Sequence, residues 1–97
     1  MAQSIMQKYE NGQIVKKCYL TGSTENLDKH HCMNGPFRKK AEAYGLWVFI
    51  RHDVHMKLHQ TPQGQKVAIW LKQQAQEAFE RKYGHEKWMK EFKRNYL

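Results

Sequence analysis

These 97 residues predict an α+β domain. Three observations lead there: an Asn11-Gly12 dipeptide between two strand-forming stretches, a compact apolar run at Leu46–Ile50, and apolar residues at helical spacing after Thr61. A chain of this length holds one hydrophobic core, so a single domain is expected over 1–97.

Asn11-Gly12 suits the tight turn in which both central residues take positive φ. It predicts a hairpin from about Ser4 to Leu20, with Tyr9 opposite Ile14 and Lys8 opposite Val15, closing at Thr21-Gly22. Cys18 is expected to pack in that hairpin. Ser23–Asn26 reads as a polar loop, and Leu27–His31 as a short strand-like segment that ends before the Asn34-Gly35-Pro36 break. Leu46–Ile50 mixes β-branched and aromatic residues, the composition of a buried strand. A short helical turn is expected from about His52 to Leu58. Thr61 is a good helix N-cap and Pro62 fits the first helical position. Val67, Trp70, Leu71, Ala75, Ala78 and Phe79 then form a stripe that runs to Tyr83, and Gly84 ends the helix. Trp88, Met89, Phe92 and Tyr96 make one face of a last helix. Both stripes read as core packing.

No stretch approaches the ~18 apolar residues of a membrane span. Met1–Lys8 lacks the apolar run of a signal peptide, and two cysteines make no disulfide framework. The expected setting is a reducing cytoplasm, without a membrane partner. Lys and Arg outnumber Asp and Glu by 17 to 9, a net charge of +8 that divides evenly at residue 60 into +4 and +4. The excess therefore belongs to the folded surface, where it attracts phosphate polymers at long range.

Five of the six histidines lie between residues 30 and 59, as a doublet, His30-His31, and a set, His52, His55 and His59. On a helix His55 and His59 are i and i+4 and share a face, with His52 near the same stripe. An imidazole pair on a helix opposite another on a strand can hold a divalent metal and leave positions open. It can also place a neutral imidazole beside that metal as a general base. Asp28 and His30 are i and i+2, so a strand puts them on one face and makes Asp28 a candidate third ligand. A zinc site from Cys18, Cys32 and the H-x3-H pair is a second reading, although the cysteines are fourteen apart and lack a C-x2-C knuckle. A Cys32 nucleophile beside His31 is a third, and adjacent strand residues on opposite faces make a poor dyad.

Leu27-Asp28-Lys29-His30-His31, Asn34-Gly35, Phe37-Arg38-Lys39-Lys40 and Tyr44-Gly45-Leu46-Trp47-Val48 together resemble the small HNH-type proteins of phage and prophage genomes. The likeness reaches from Ser4-Ile5 to Asn95-Tyr96-Leu97, and His55-Met-Lys-Leu-His59 is similar to the helical H-x3-H of colicin-type nucleases. The resemblance implies an N-terminal hairpin, a ββα-metal (HNH-like) core and two C-terminal helices. It implies that His31 is the general base, that His30 and His55 hold the metal, and that His59 binds phosphate or metal. Relatives carry two C-x2-C-like knuckles for a structural zinc. Here these read Cys18-Tyr-Leu-Thr21 and Arg51-His-Asp-Val54, so no structural zinc is expected. The middle Asn of the motif is also absent from its usual place, where Tyr44-Gly45-Leu46 stands.

The implied activity is hydrolysis of DNA phosphodiester bonds with one divalent ion, Mg, Mn, Ni or Zn. His59, Arg38, Lys39 and Arg51 would bind phosphate, Arg through its fork of donors; the bland reading of Arg38-Lys39-Lys40 is a solvated loop. The alternative is a lapsed nuclease scaffold that binds a host or phage protein. Such a protein would inhibit a host enzyme or a defence complex such as a CRISPR effector.

Overall fold

The computed structural model describes residues 3–97; Met1 and Ala2, the start of the polar N-terminal stretch, lie outside the described residues. In chain order the elements are β1 (Tyr9–Glu10), β2 (Gln13–Ile14), β3 (Leu27–His31), a 3-10 turn (Gly35–Phe37), α1 (Arg38–Ala43), β4 (Trp47–Arg51), α2 (His52–Gln60), α3 (Pro62–Tyr83) and α4 (His85–Phe92). The α+β class is as the sequence predicts: among the described residues there are two small antiparallel pairs, β1–β2 and β3–β4, and four α-helices. No helix among the described residues is long and apolar enough to cross a membrane.

Asn11 and Gly12 take φ of 52° and 77°, and Tyr9 stands opposite Ile14 as read from the turn. The ladder is shorter than the expected Ser4–Leu20 hairpin. Its last rung is the bond from the Val15 N–H to the Lys8 carbonyl. The reason lies in β4, whose edge away from β3 needs partners. The Ser4 hydroxyl donates to the Trp47 carbonyl at 2.6 Å, Gln7 Oε1 accepts from the Phe49 N–H, and the Tyr19 N–H donates to the Phe49 carbonyl. Residues flanking the hairpin thus cover the edge of β4 and are not free to extend β1–β2. Cys18 sits past the ladder, buried in the core, with Sγ accepting from the Arg51 N–H at 3.3 Å.

Alternation along β4 sends Val48 and Ile50 into the core, where both are fully buried. Leu71, Ala75 and Phe79 of α3 and Trp88 and Phe92 of α4 belong to the same cluster. Thr61 caps α3, its Oγ1 accepting from the Gly64 N–H at 2.9 Å. Gly64 is buried where the first turn of α3 crosses α2, and a Cβ there would overlap the Lys57 carbonyl. The missing side chain lets α3 lie close against α2, which carries three of the histidines.

Two further expectations are corrected. Arg38-Lys39-Lys40 is the first half of α1 and not a loop. The six-residue helix is too short to show a stripe in sequence, and it is held by a fully buried Ala41 and by Lys40, whose ammonium meets the Glu91 carbonyl at 2.9 Å and its carboxylate at 3.2 Å. Tyr96 is not on the last helix, which ends at Phe92 with Lys93 left-handed at φ 62°. The buried Gln76 side chain takes the tail, accepting from the Tyr96 N–H and donating to Asn95 Oδ1, each at 2.7 Å.

Candidate metal centre

Strand pairing sets the site. His30 lies opposite Val48 and Asp28 opposite Ile50, so both share the face of β3 that turns toward the core and α2. His31 lies opposite Trp47 and Lys29 opposite Phe49, on the other face. α2 begins directly after β4, and its i and i+4 histidines meet His30 across the strand–helix junction.

His30, His55 and His59 each offer a ring nitrogen within 4.8 Å of the others, so this cluster could hold a metal ion. Nδ1 of His30 is 3.2 Å from Nε2 of His55, and Nε2 of His59 is 3.3 Å from the same atom. Metal–imidazole bonds of ~2.0–2.1 Å at tetrahedral angles place neighbouring nitrogens about 3.3 Å apart, so two of the three spacings already match. The resemblance implies His30 and His55 as ligands and His59 as a phosphate or metal binder, with Asp28 a candidate third ligand by strand spacing. In the structure the three histidines form the group that could hold an ion, and Asp28 bonds the far side of His55.

Asp28 Oδ2 lies 2.7 Å from Nδ1 of His52 and 3.0 Å from Nδ1 of His55. Hydrogen bonds from His55 and His52 hold the Asp28 carboxyl below its ordinary range, so it is an anion and accepts from both rings. An anionic Asp28 favours a proton on Nδ1 of His55, which directs its Nε2 toward the cluster. His30 is 8 % exposed, and burial, helped by the neighbouring His55, His59, His31 and Lys72, pushes its pKa down to about 4. Its ring is neutral at pH 7, the state a metal ligand requires.

His31 has a different partner. Its Nε2 lies 2.8 Å from Glu42 Oε2, and Lys29 meets the other oxygen of that carboxylate at 2.7 Å. Lys29, and then His31, hold Glu42 below the usual carboxylate range. Lys29 also lies over the Trp47 ring at 4.2 Å from its centroid. Glu42 comes from α1 and was not singled out in the sequence; the short helix that carries it gave no periodic signal.

A cleft of about 220 Å³ brings both environments together. Lys29, His30, His31, Asn34, Arg38, His55 and His59 line it. Residues from both faces of β3 line it, His30 from one and Lys29 and His31 from the other. Of the expected phosphate binders, His59 and Arg38 line this space. Lys39 is exposed on α1 outside the lining, and Arg51 faces elsewhere, its Nε 3.0 Å from Asp53 Oδ1. A second hollow of about 300 Å³ shares His30, Asn34 and His59 and adds Gln65, Ile69 and Lys72 of α3. Among the described residues neither Cys18 nor Cys32 joins the metal-competent group, and burial raises the Cys32 thiol to about 12, the opposite of an activated nucleophile.

Comparison with protein-family models, with curated proteins and with solved structures gives no match to this chain.

Proposed function

We propose that this protein is a metal-dependent, HNH-type endonuclease that hydrolyses DNA phosphodiester bonds. The observation that carries the reading is the meeting of three imidazole nitrogens beside a fourth, carboxylate-held histidine in one open cleft. The order β3–β4–α2, with the doublet on the strand and the H-x3-H pair on the helix, supports it. So does the net charge of +8.

In this reading His30, His55 and His59 hold the ion. An all-imidazole donor set suits Zn or Ni better than Mg, which prefers oxygen ligands. The bound ion would stabilise the charge that develops on the phosphate and the leaving oxygen. Asp28 fixes the ring of His55. Glu42 holds His31 through Nε2, which leaves Nδ1 to take the proton of the attacking water. Glu42 then stabilises the imidazolium that results, as an anion at 2.8 Å. Arg38 supplies a fork of donors to the phosphate oxygens.

The test is supercoiled plasmid incubated with protein loaded with Mn, Ni or Zn between about pH 6 and 9, beside a calorimetric metal titration. Nicking that His31→Ala abolishes, with metal affinity kept, supports the reading. Plasmid left intact by metal-loaded wild-type protein under all these conditions overturns it.

A further inference from the structure

His30 and His59 of the histidine cluster line two hollows. One holds His31 and Arg38, the groups assigned to the reaction. The other is lined from α3 by Gln65, Ile69 and Lys72. At about 300 Å³ this second hollow is at the lower end of volumes that hold small organic ligands, and it is larger than a lone phosphate needs.

Its charge is unusual. The two carboxylates nearest the histidines are committed elsewhere: Asp28 to His52 and His55, and Glu42 to Lys29 and His31. A dication on three neutral imidazoles would therefore sit between Arg38 and Lys72 with no anion of the protein lining either hollow. Like charges held this close favour an anionic ligand that spans all three. Lys72 is half-buried, and its ammonium lies 5.6 Å from the centroid of the Tyr96 ring, a cation–π contact that leaves its positive charge unneutralised by a carboxylate. Ile69 is 52 % exposed and lines the hollow beside Lys72, an apolar surface within reach of a ligand held by the ammonium.

We propose that the hollow along α3 is a subsite for the nucleotide next to the cleaved bond. Lys72 binds that nucleotide's far phosphate, and Ile69 packs against its sugar or base. The proposal rests on the nuclease reading and deepens it. The substrate is a polynucleotide with a phosphate on each side of the nucleotide held, and an isolated phosphodiester fills only half of the groove.

The test is anisotropy of a short fluorescein-labelled DNA duplex with the zinc-loaded protein over a range of salt. Lys72→Gln should weaken binding about tenfold and reduce the slope of log affinity against log salt by roughly 0.9, the share of one phosphate contact. Lys72→Arg should keep affinity within about threefold, and Lys82→Gln, at the far end of α3, should change little. Zinc affinity and thermal midpoint should be unchanged in Lys72→Gln. An effect no greater than that of Lys82→Gln overturns the subsite, and so does a fall in zinc affinity or thermal midpoint, which would make Lys72 a structural support of the histidines. If the wild-type protein binds no duplex at low salt, the nuclease reading itself fails, a result distinct from equal binding by wild type and variant.

Discussion

His30 and His31 are neighbours on one strand, yet the molecule surrounds them differently. His30 turns toward α2 and meets two imidazoles; His31 turns toward α1 and meets a carboxylate. One face of β3 thus presents a cluster of imidazole nitrogens, and the other presents His31 and Lys29 joined through the Glu42 carboxylate. The same side chain is suited to ligation on one face and to proton transfer on the other. Strand alternation supplies the opposite directions, and two different helices supply the chemistry.

The largest expected effects break the first face. His30→Ala or His55→Ala should lower zinc affinity by at least a hundredfold and remove cleavage with it. His31→Ala should leave zinc affinity within about threefold and slow cleavage ~10²–10⁴-fold, the usual share of a general base. Calorimetry beside a plasmid assay separates the two. Equal metal loss in all three variants would erase the distinction between the faces.

The next pair tests the two carboxylates. Asp28→Asn should weaken zinc binding ~10–100-fold, because the amide leaves the tautomer of His55 unfixed. Glu42→Gln should leave zinc binding nearly unchanged and slow cleavage, since the amide no longer holds His31 as a carboxylate does. A cleavage rate equal to wild type would remove Glu42 from the reaction.

Stability should also report on the second face. The folded Glu42 carboxyl is held below its ordinary value, chiefly by Lys29, so below the carboxylate range the unfolded chain takes up the proton first. The contribution is fully present above the unfolded pKa, near 4.5, and is lost as pH falls through the lower folded value. Urea unfolding of the metal-free protein between about pH 6 and pH 3 should show a smaller loss for Glu42→Gln than for wild type. Parallel curves would mean that the ion pairs contribute nothing.

Smallest should be the effects of peripheral cations. Arg38→Ala combined with Lys39→Ala should weaken DNA binding several-fold and reduce the salt slope by at most about two contacts, with Arg38 dominant because it lines the cleft. Arg51→Ala, at a residue paired with Asp53 outside that cleft, should change binding less than twofold. A large Arg51 effect would place the DNA path across a different face.

Local signals were legible wherever one stretch of chain carried its own instruction. The Asn11-Gly12 turn fixed Tyr9 opposite Ile14, and Thr61-Pro62 with Gly84 marked the two ends of α3. The doublet and the H-x3-H pair pointed to the histidines that meet in the cleft. Tertiary structure decided which of their neighbours joined them. Asp28 shares the face of His30, as spacing said, yet it bonds the rear nitrogens of His52 and His55, because α2 follows β4 without a linker and lays its first turn over Asp28. His59 joins the histidine group because its helical turn brings it level with His30. Glu42 reaches His31 from eleven residues away along a helix too short to announce itself, and Lys72 reaches the hollow beside His30 and His59 on α3 because Gly64 lets that helix lie close against α2. Spacing along the chain dictates which residues share a face of one element. What the face meets depends on packing between elements, which no local pattern encodes.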